Sequence, residues 1–226
     1  MGNTRYCYPL TVTDGYSRYL LACKGLHSTE NAGVQEVFEQ LFREYGLPRA
    51  ILTDNGAPFA TVALHRLSRL SVWWIKLGIQ PLLIMPGHPE QNGRHERMHR
   101  TLKAEATRPP RADMRSQQRA FNRFQLEYNT ERPHEAIDLE TPASVYQASP
   151  RPFPEKLVPY EYPTHFKVRK VSSNCQIKWG PHTVSISRTL NGEYVGLEEI
   201  DDGLWSLYFC NVLIGRLNAR ELRVHA

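Results

Sequence analysis

A change of hydrophobic period at a proline-rich segment divides this chain of 226 residues. Five prolines lie between residues 150 and 163. Because proline fixes φ and lacks an N–H, they predict an extended linker. Strand-like and helix-like patterns alternate before the linker, whereas apolar residues recur at every second position after it. We therefore predict an α/β domain at residues 1–147, a linker at 148–163 and a β-rich domain at 164–226.

Local patterns before the linker predict the order of strands and helices. Two strand-like segments, residues 6–13 and 19–24, flank Asp14-Gly15, a dipeptide that favours a hairpin turn. The apolar run at residues 50–53 predicts a buried strand. A further strand is predicted at 80–84, and helices are predicted at 29–45 (with Ser28 as N-cap), 64–77, 94–107 and 114–128.

The segment after the linker predicts a small β-barrel. Alternating apolar residues mark short strands in close succession. Asn191-Gly192 and Asp202-Gly203 are dipeptides typical of hairpin turns between such strands.

Positive charge is concentrated in one stretch of the chain. The net charge is +5, yet residues 94–124 alone hold nine Lys and Arg against three acids. Such a patch favours a polyanionic partner, with a solvated helix face as the alternative interpretation.

Other features exclude whole classes of protein. No apolar run approaches the roughly 18 residues of a membrane span, and residues 1–8 lack the apolar core of a signal peptide. The four cysteines are too far apart for a CxxC zinc or redox motif. We expect a cytoplasmic protein with reduced thiols and no membrane partner.

Two segments contain candidate carboxylate ligands. The predicted strand at 50–53 ends in Asp54-Asn55-Gly56, at the end of a strand where open α/β sheets place their sites. A polar loop then leads into a basic helix with Glu96 in its first turn and Arg100 and Lys103 on the same face. A carboxylate among cations suits a divalent metal beside a phosphate backbone. A plain turn at Asp54 and an ordinary ion pair at Glu96 are the alternatives.

The same basic helix contains a competing zinc motif. Residues 95–99 fit the H-E-x-x-H pattern of zinc metalloproteases, with His95 and His99 as ligands. Arg94, Arg97 and Arg100 surround these histidines with positive charge that opposes a zinc ion. We expect no zinc.

The order of these segments resembles the retroviral-integrase-type (DDE) transposases of bacterial insertion sequences. The resemblance covers roughly residues 5–150. The segments that carry it are LTVTDGYSRY (10–19), LTDNG (52–56), residues 87–103, Tyr128-Asn129, Arg132-Pro133-His134 and Thr141-Pro142-Ala143. It implies a ribonuclease-H-like core with a mixed sheet, followed by a small SH3-like β-barrel.

The resemblance also implies a D, D, E triad that binds two Mg²⁺ (or Mn²⁺) ions. Asp54 corresponds to the second Asp, and Glu96, 42 residues later, to the Glu. Glu90 matches the best-known spacing of 36 residues, but Glu96 fits the helical context of the family's motif. Residues Arg94, Arg97, Arg100 and Lys103 match DNA-contacting positions. The implied partners are duplex DNA, both transposon ends and target, and further copies of the chain on DNA.

One part of the family pattern has no counterpart here. The first Asp belongs on a strand ahead of the hairpin, and Asp14 matches a turn away from the metals instead. We expect a member shortened at its N-terminus, inactive by itself, whose core sheet lies in two pieces with unpaired edges. The alternatives are a non-catalytic DNA-binding remnant that interferes with an intact transposase and, more distantly, a ribonuclease H.

Overall fold

A computed structural model of the chain describes residues 6–28, 30–61, 64–85, 88 and 93–225. The chain divides into two compact units, Met1–Leu47 with Ile84–Phe153 and Pro48–Leu83 with Pro154–Ala226. Residues 146–166 contain neither helix nor strand. The division at 1–147, 148–163 and 164–226 stays a prediction.

The described elements follow the predicted alternation. The helices are α1 (Asn31–Tyr45), α2 (Arg69–Lys76), α3 (Gly93–Ala106), α4 (Met114–Thr130) and α5 (Pro142–Val145). The strands are β1 (Tyr8–Thr13), β2 (Leu20–Leu26), β3 (Ala50–Thr53), β4 (Gln80–Leu83), β5 (Lys167–Lys170), β6 (Gln176–Trp179), β7 (His182–Ser185), β8 (Tyr194–Asp201), β9 (Leu204–Phe209), β10 (Val212–Asn218) and β11 (Arg223–His225). No helix in the described part of the chain is long and apolar enough to cross a membrane.

The core strands lie in two separate sheets, as predicted. β1 and β2 form the expected antiparallel hairpin, and β3 and β4 form a parallel pair. In the hairpin turn, the Asp14 carboxylate accepts hydrogen bonds from the backbone N–H groups of Tyr16 and Ser17 and from the Ser17 hydroxyl. Asp14 therefore shapes the turn.

The predicted N-cap of α1 and the predicted burial of β3 are wrong. The N-cap of α1 is Glu30 instead of Ser28, because the Ser28 hydroxyl accepts a hydrogen bond from the backbone N–H of Glu30, a residue ahead of the helix. β3 is only half buried, with Leu52 50% exposed. The reason is that β3 pairs with β4 alone among the described strands, in a sheet too narrow to cover both of its faces.

The first unit has its core between the hairpin and two helices. α3 contributes Met98, Leu102 and Ala106, and α4 contributes Phe121 and Phe124. These side chains pack with Leu20 and Cys23 of β2. The apolar face of α3 is thus turned inward, which leaves its charged face towards solvent.

The second unit joins α2 to the β-rich segment. Val72 and Ile75 of α2 belong to the same buried cluster as Leu197, Trp205 and the other inward residues of that segment. A capping box begins α2, since the Ser68 hydroxyl accepts from Ser71 N and the Ser71 hydroxyl accepts from Ser68 N.

The β-rich segment contains a five-stranded antiparallel sheet in the order β11-β10-β9-β8-β5, and β6 pairs with β7. Asp202-Gly203 joins β8 to β9 in a hairpin, as predicted. The hairpin prediction for Asn191-Gly192 is wrong. This dipeptide ends the short helical turn Arg188–Leu190, and the strands on either side of it, β7 and β8, are not paired with each other. Closure of these strands into an SH3-like barrel stays a prediction.

Candidate functional site

Asp54 lies immediately after β3, at the carboxyl end of a parallel strand. Its side chain is exposed, and Oδ1 accepts a hydrogen bond of 3.0 Å from the Gly56 backbone N–H. A Cβ at position 56 would lie 3.2 Å from this oxygen, so glycine gives the carboxylate room. Among the described residues Oδ2 has no hydrogen-bond partner. The turn thus orients the carboxylate and leaves one oxygen open to a ligand.

Glu96 lies in the first turn of α3 and is exposed. It forms no hydrogen bond or ion pair with the described residues. Arg100 and Lys103 follow one and two turns later and are exposed as well. Glu96 belongs to the first compact unit and Asp54 to the second, and each carboxylate is therefore described within its own unit. Glu90 lies outside the described residues.

The two histidines of the H-E-x-x-H pattern contact β1. The Thr11 hydroxyl lies 3.0 Å from His95 Nε2 and 2.7 Å from His99 Nε2, and these two nitrogens are 3.1 Å apart. One set of protons satisfies all three groups: Thr11 donates to His95, and His99 donates to Thr11. The cluster attaches the first turns of α3 to β1. Within the described part of the chain, no group of three or more His, Cys, Asp or Glu could hold a metal ion.

Exposed cations follow the outer faces of α3 and α4. Arg97, Arg100 and Lys103 are exposed on α3. The side chain of Arg94 lies outside the described part of the chain. On α4 the exposed arginines are Arg115, Arg119 and Arg123, four residues apart. Arg123 Nε lies 3.7 Å from Glu127 Oε1. Because both side chains are exposed, this ion pair contributes little to the stability of the fold. The predicted basic segment is therefore a solvent-facing positive surface of the first unit.

Three side-chain amides of α4 bond to backbone groups of β2, a role that was not predicted from the sequence. Asn129 accepts from Leu20 N at 2.8 Å and donates to Leu20 O at 3.1 Å, while Gln125 donates to the same oxygen. Gln118 accepts from Gly25 N and donates to Cys23 O. Their spacing of seven and four residues places all three on one helix face, a signal that the sequence contained.

The Arg132-Pro133-His134 segment joins the end of α4 to α3. Arg132 donates to both carboxylate oxygens of Glu105 at 2.8 Å. The His134 ring lies edge-on to Tyr128, with centroids 4.9 Å apart. Burial, then the charges of Arg132 and Arg18, lower the pKa of His134. These contacts favour the structural interpretation of this motif.

Comparison with known proteins gives two matching family profiles, both described as integrase core domain. They cover residues 1–89 and 77–142.

Curated relatives match parts of the chain. The Pol polyprotein of radiation murine leukemia virus (strain Kaplan) is 30% identical over 103 residues, which is 46% of this chain and 17% of that protein. An uncharacterized 39.2 kDa protein of insertion element IS476 from Xanthomonas euvesicatoria is 29% identical over 144 residues, 63% of this chain and 40% of that protein. The chain thus spans less than half the length of each of these two relatives.

One solved structure covers most of the chain. It is a chain of the simian T-cell lymphotropic virus intasome in complex with PP2A regulatory subunit B56 gamma. The two chains are 15% identical with a TM-score of 0.49, over 92% of this chain and 76% of that one.

Proposed function

We propose that the chain acts in Mg²⁺-dependent DNA strand cleavage and strand transfer. The reason is that it belongs to the DDE integrase and transposase family of the insertion-sequence type. The family has an integrase core of ribonuclease-H-like fold, and its general function is DNA integration. The observation that supports the proposal best is the positive outer face of α3, with Glu96 in its first turn.

Asp54 and Glu96 are the proposed metal ligands and catalytic carboxylates. Both are exposed, and carboxylate oxygens are the ligands that Mg²⁺ and Mn²⁺ prefer. In the complete family site, two such ions stabilise the attacking and leaving oxygens of a phosphodiester. We expect no zinc, because the Nε2 atoms of His95 and His99, which would have to bind the ion, both lie within hydrogen-bond distance of the Thr11 hydroxyl.

Arg94, Arg97, Arg100 and Lys103 are proposed to bind the phosphate backbone of duplex DNA, both transposon ends and target. The described cations among them lie on the exposed side of α3, opposite the buried Met98 and Leu102. Residues that contact phosphates position the duplex without reading its sequence. We further propose that the protein works in the cytoplasm as a homo-oligomer on DNA.

A salt titration of duplex binding tests this surface. Phosphate contacts release counterions, so the affinity should fall steeply between about 50 mM and about 300 mM salt and depend little on sequence. Arg100→Ala/Lys103→Ala should weaken binding to every duplex and reduce the salt slope by about one unit for each phosphate that the variant no longer neutralises. Lys24→Ala, an exposed lysine on β2, is the matched control and should change neither quantity.

Circular dichroism must first show a cooperative fold in each variant. Unchanged binding by the double variant, or binding that is indifferent to salt, would place the DNA surface elsewhere. The second candidate function is a non-catalytic DNA-binding remnant that interferes with an intact transposase. The observation that favours this second function is the position of the described α3 cations, which are exposed to solvent and form no ion pair with Asp54 or Glu96.

A further inference from the structure

We propose that a cleft in the second unit, between α2 and the turn before β8, binds single-stranded DNA. An unpaired base would stack on Trp73, with phosphates held by Arg69 and Arg188. The choice of DNA as partner rests on the proposed function. The cleft itself uses none of the residues assigned to duplex binding or to the metal ions.

The shape of the cleft follows from the spacing of residues on α2. Arg69, Trp73 and Lys76 lie on one face of the helix at spacings of four and three residues, and this face forms one wall. The helical turn at Arg188 and the segment through Asn191 form the other wall. The cleft has a volume of about 380 Å³, within the range of small-ligand sites. Trp73 is half-buried, and the part that remains accessible lines the cleft.

The charges in the cleft favour an anion. Lys76 Nζ lies 2.7 Å from Glu193 Oε1, and this ion pair neutralises both groups. Arg69 and Arg188 are exposed, and neither forms an ion pair with an acid in the described part of the chain. Two positive charges therefore remain beside an aromatic ring, the combination that holds the phosphate and the base of a nucleotide.

A second cleft makes a strand a better ligand than a free nucleotide. It has a volume of about 580 Å³, shares Asn191 with the first and is lined by Lys170, whose ammonium lies 5.8 Å from the centre of the Tyr194 ring. One further cation, Lys170, thus lies past Asn191 and beside an aromatic ring that does not itself line the cleft, and a row of cations is a feature of grooves that follow a single strand. In a duplex the bases are stacked on each other, so only an unpaired base can reach Trp73.

Fluorescence anisotropy on the full 226-residue chain can test the proposal with labelled oligothymidylate of about 10 nucleotides and a duplex of equal length. Trp73→Ala should weaken single-strand binding about five-fold or more, since base stacking has that effect in alanine substitutions. Trp73→Phe should keep most of the affinity. Arg69→Ala/Arg188→Ala should weaken single-strand binding and lower its salt slope. Arg216→Ala, an exposed arginine on β10, is the control and should have no effect.

Duplex binding separates this proposal from the proposed function. Arg100→Ala/Lys103→Ala should lower duplex affinity, whereas the Trp73 and Arg188 variants should leave it within about two-fold. If Trp73→Ala loses its cooperative thermal unfolding, the exposed pair Arg69→Glu/Arg188→Glu decides. Unchanged single-strand affinity in the folded cleft variants would overturn the proposal. Displacement by thymidine monophosphate as effectively as by the oligomer would show a free-nucleotide site and overturn the strand assignment.

Discussion

At the scale of single residues, Asn129 shows how a family motif can act through the backbone. Its side chain is almost fully buried and makes one hydrogen bond to each polar backbone group of Leu20. Both bonds would be lost in Asn129→Ala, and the Leu20 N–H would be left without its partner.

We expect Asn129→Ala to destabilise the fold by about 2 kcal/mol, because unsatisfied buried polar groups cost about 1–3 kcal/mol. Urea unfolding followed by circular dichroism measures this change. Arg119→Ala, on the exposed side of the same helix, should cost less than about 0.5 kcal/mol. Equal effects of the two substitutions would show that the amide of Asn129 is not what holds β2.

His134 should make stability depend on pH. Its pKa is lowered in the folded state, chiefly by burial, so the unfolded state binds the proton more readily. The contribution is therefore present above the unfolded pKa of about 6.5 and is lost as the pH falls below it. Thermal unfolding between about pH 7.5 and about pH 5 should show a falling midpoint, and His134→Gln should flatten this trend. His27→Gln, at an exposed position just after β2, should leave the pH dependence of the unfolding midpoint unchanged.

At the scale of elements, α2 begins at a cap that helical periodicity alone did not locate. The sequence predicted one helix over 64–77, whereas the structure has a short helical turn at Leu64–Arg66 and then α2 from Arg69. Ser68 and Ser71 close a reciprocal capping box between the two.

Replacing Ser68 with alanine should destabilise the second unit by about 1 kcal/mol, the usual cost of losing an N-cap. Chemical denaturation measures it, and Ser173→Ala, on an exposed serine of the same unit, is the comparison. If both variants unfold at the same denaturant concentration as the unchanged chain, the cap does not hold the start of α2.

The elements that sequence patterns predicted well are those with a strong local signal. α4 has six buried residues in a helical repeat and begins at Met114 as predicted, and β3 spans residues 50–53 as predicted. The burial of β3 could not be predicted, because it depends on which strand lies next to it. Similarly, Asn191-Gly192 has hairpin chemistry, yet tertiary pairing of β8 with β5 and β9 excludes the hairpin with β7.

The candidate site was predictable to a similar extent. Exposure of Glu96, Arg100 and Lys103 follows from the amphipathic pattern of α3, since Met98 and Leu102 occupy its buried side. The contact of His95 and His99 with Thr11 spans more than 80 positions in the sequence, and no local pattern indicates it.

At the scale of the whole molecule, DNA binding should be separable from DNA strand cleavage and strand transfer. The proposed site assigns two carboxylates of a three-carboxylate triad, whereas the described cations of the basic surface all lie on α3 and α4 of the first unit. Metal ions held by two carboxylates would lack the ligand that fixes them between the attacking and leaving oxygens.

We therefore expect residues 1–226 by themselves to bind DNA without cleaving or joining it. Incubation of the purified chain with end-labelled duplex and Mg²⁺ or Mn²⁺ measures this directly. Nicking or joining that disappears in both Asp54→Asn and Glu96→Gln would show that two carboxylates suffice. Activity that persists in both variants would point to a contaminating nuclease.

The side-chain amides of α4 that bond to β2 make the two edges of the hairpin sheet unequal. Side-chain amides of Gln118, Gln125 and Asn129 bond to Leu20 N, Leu20 O, Cys23 O and Gly25 N, so these four groups of β2 are not open to pair with another strand. Among the described strands of this sheet, we expect lateral growth, whether by a neighbouring segment or by a second molecule in a concentrated solution, to start along β1. Pro9, inside β1, then removes one donor from that side, so pairing there carries a built-in interruption.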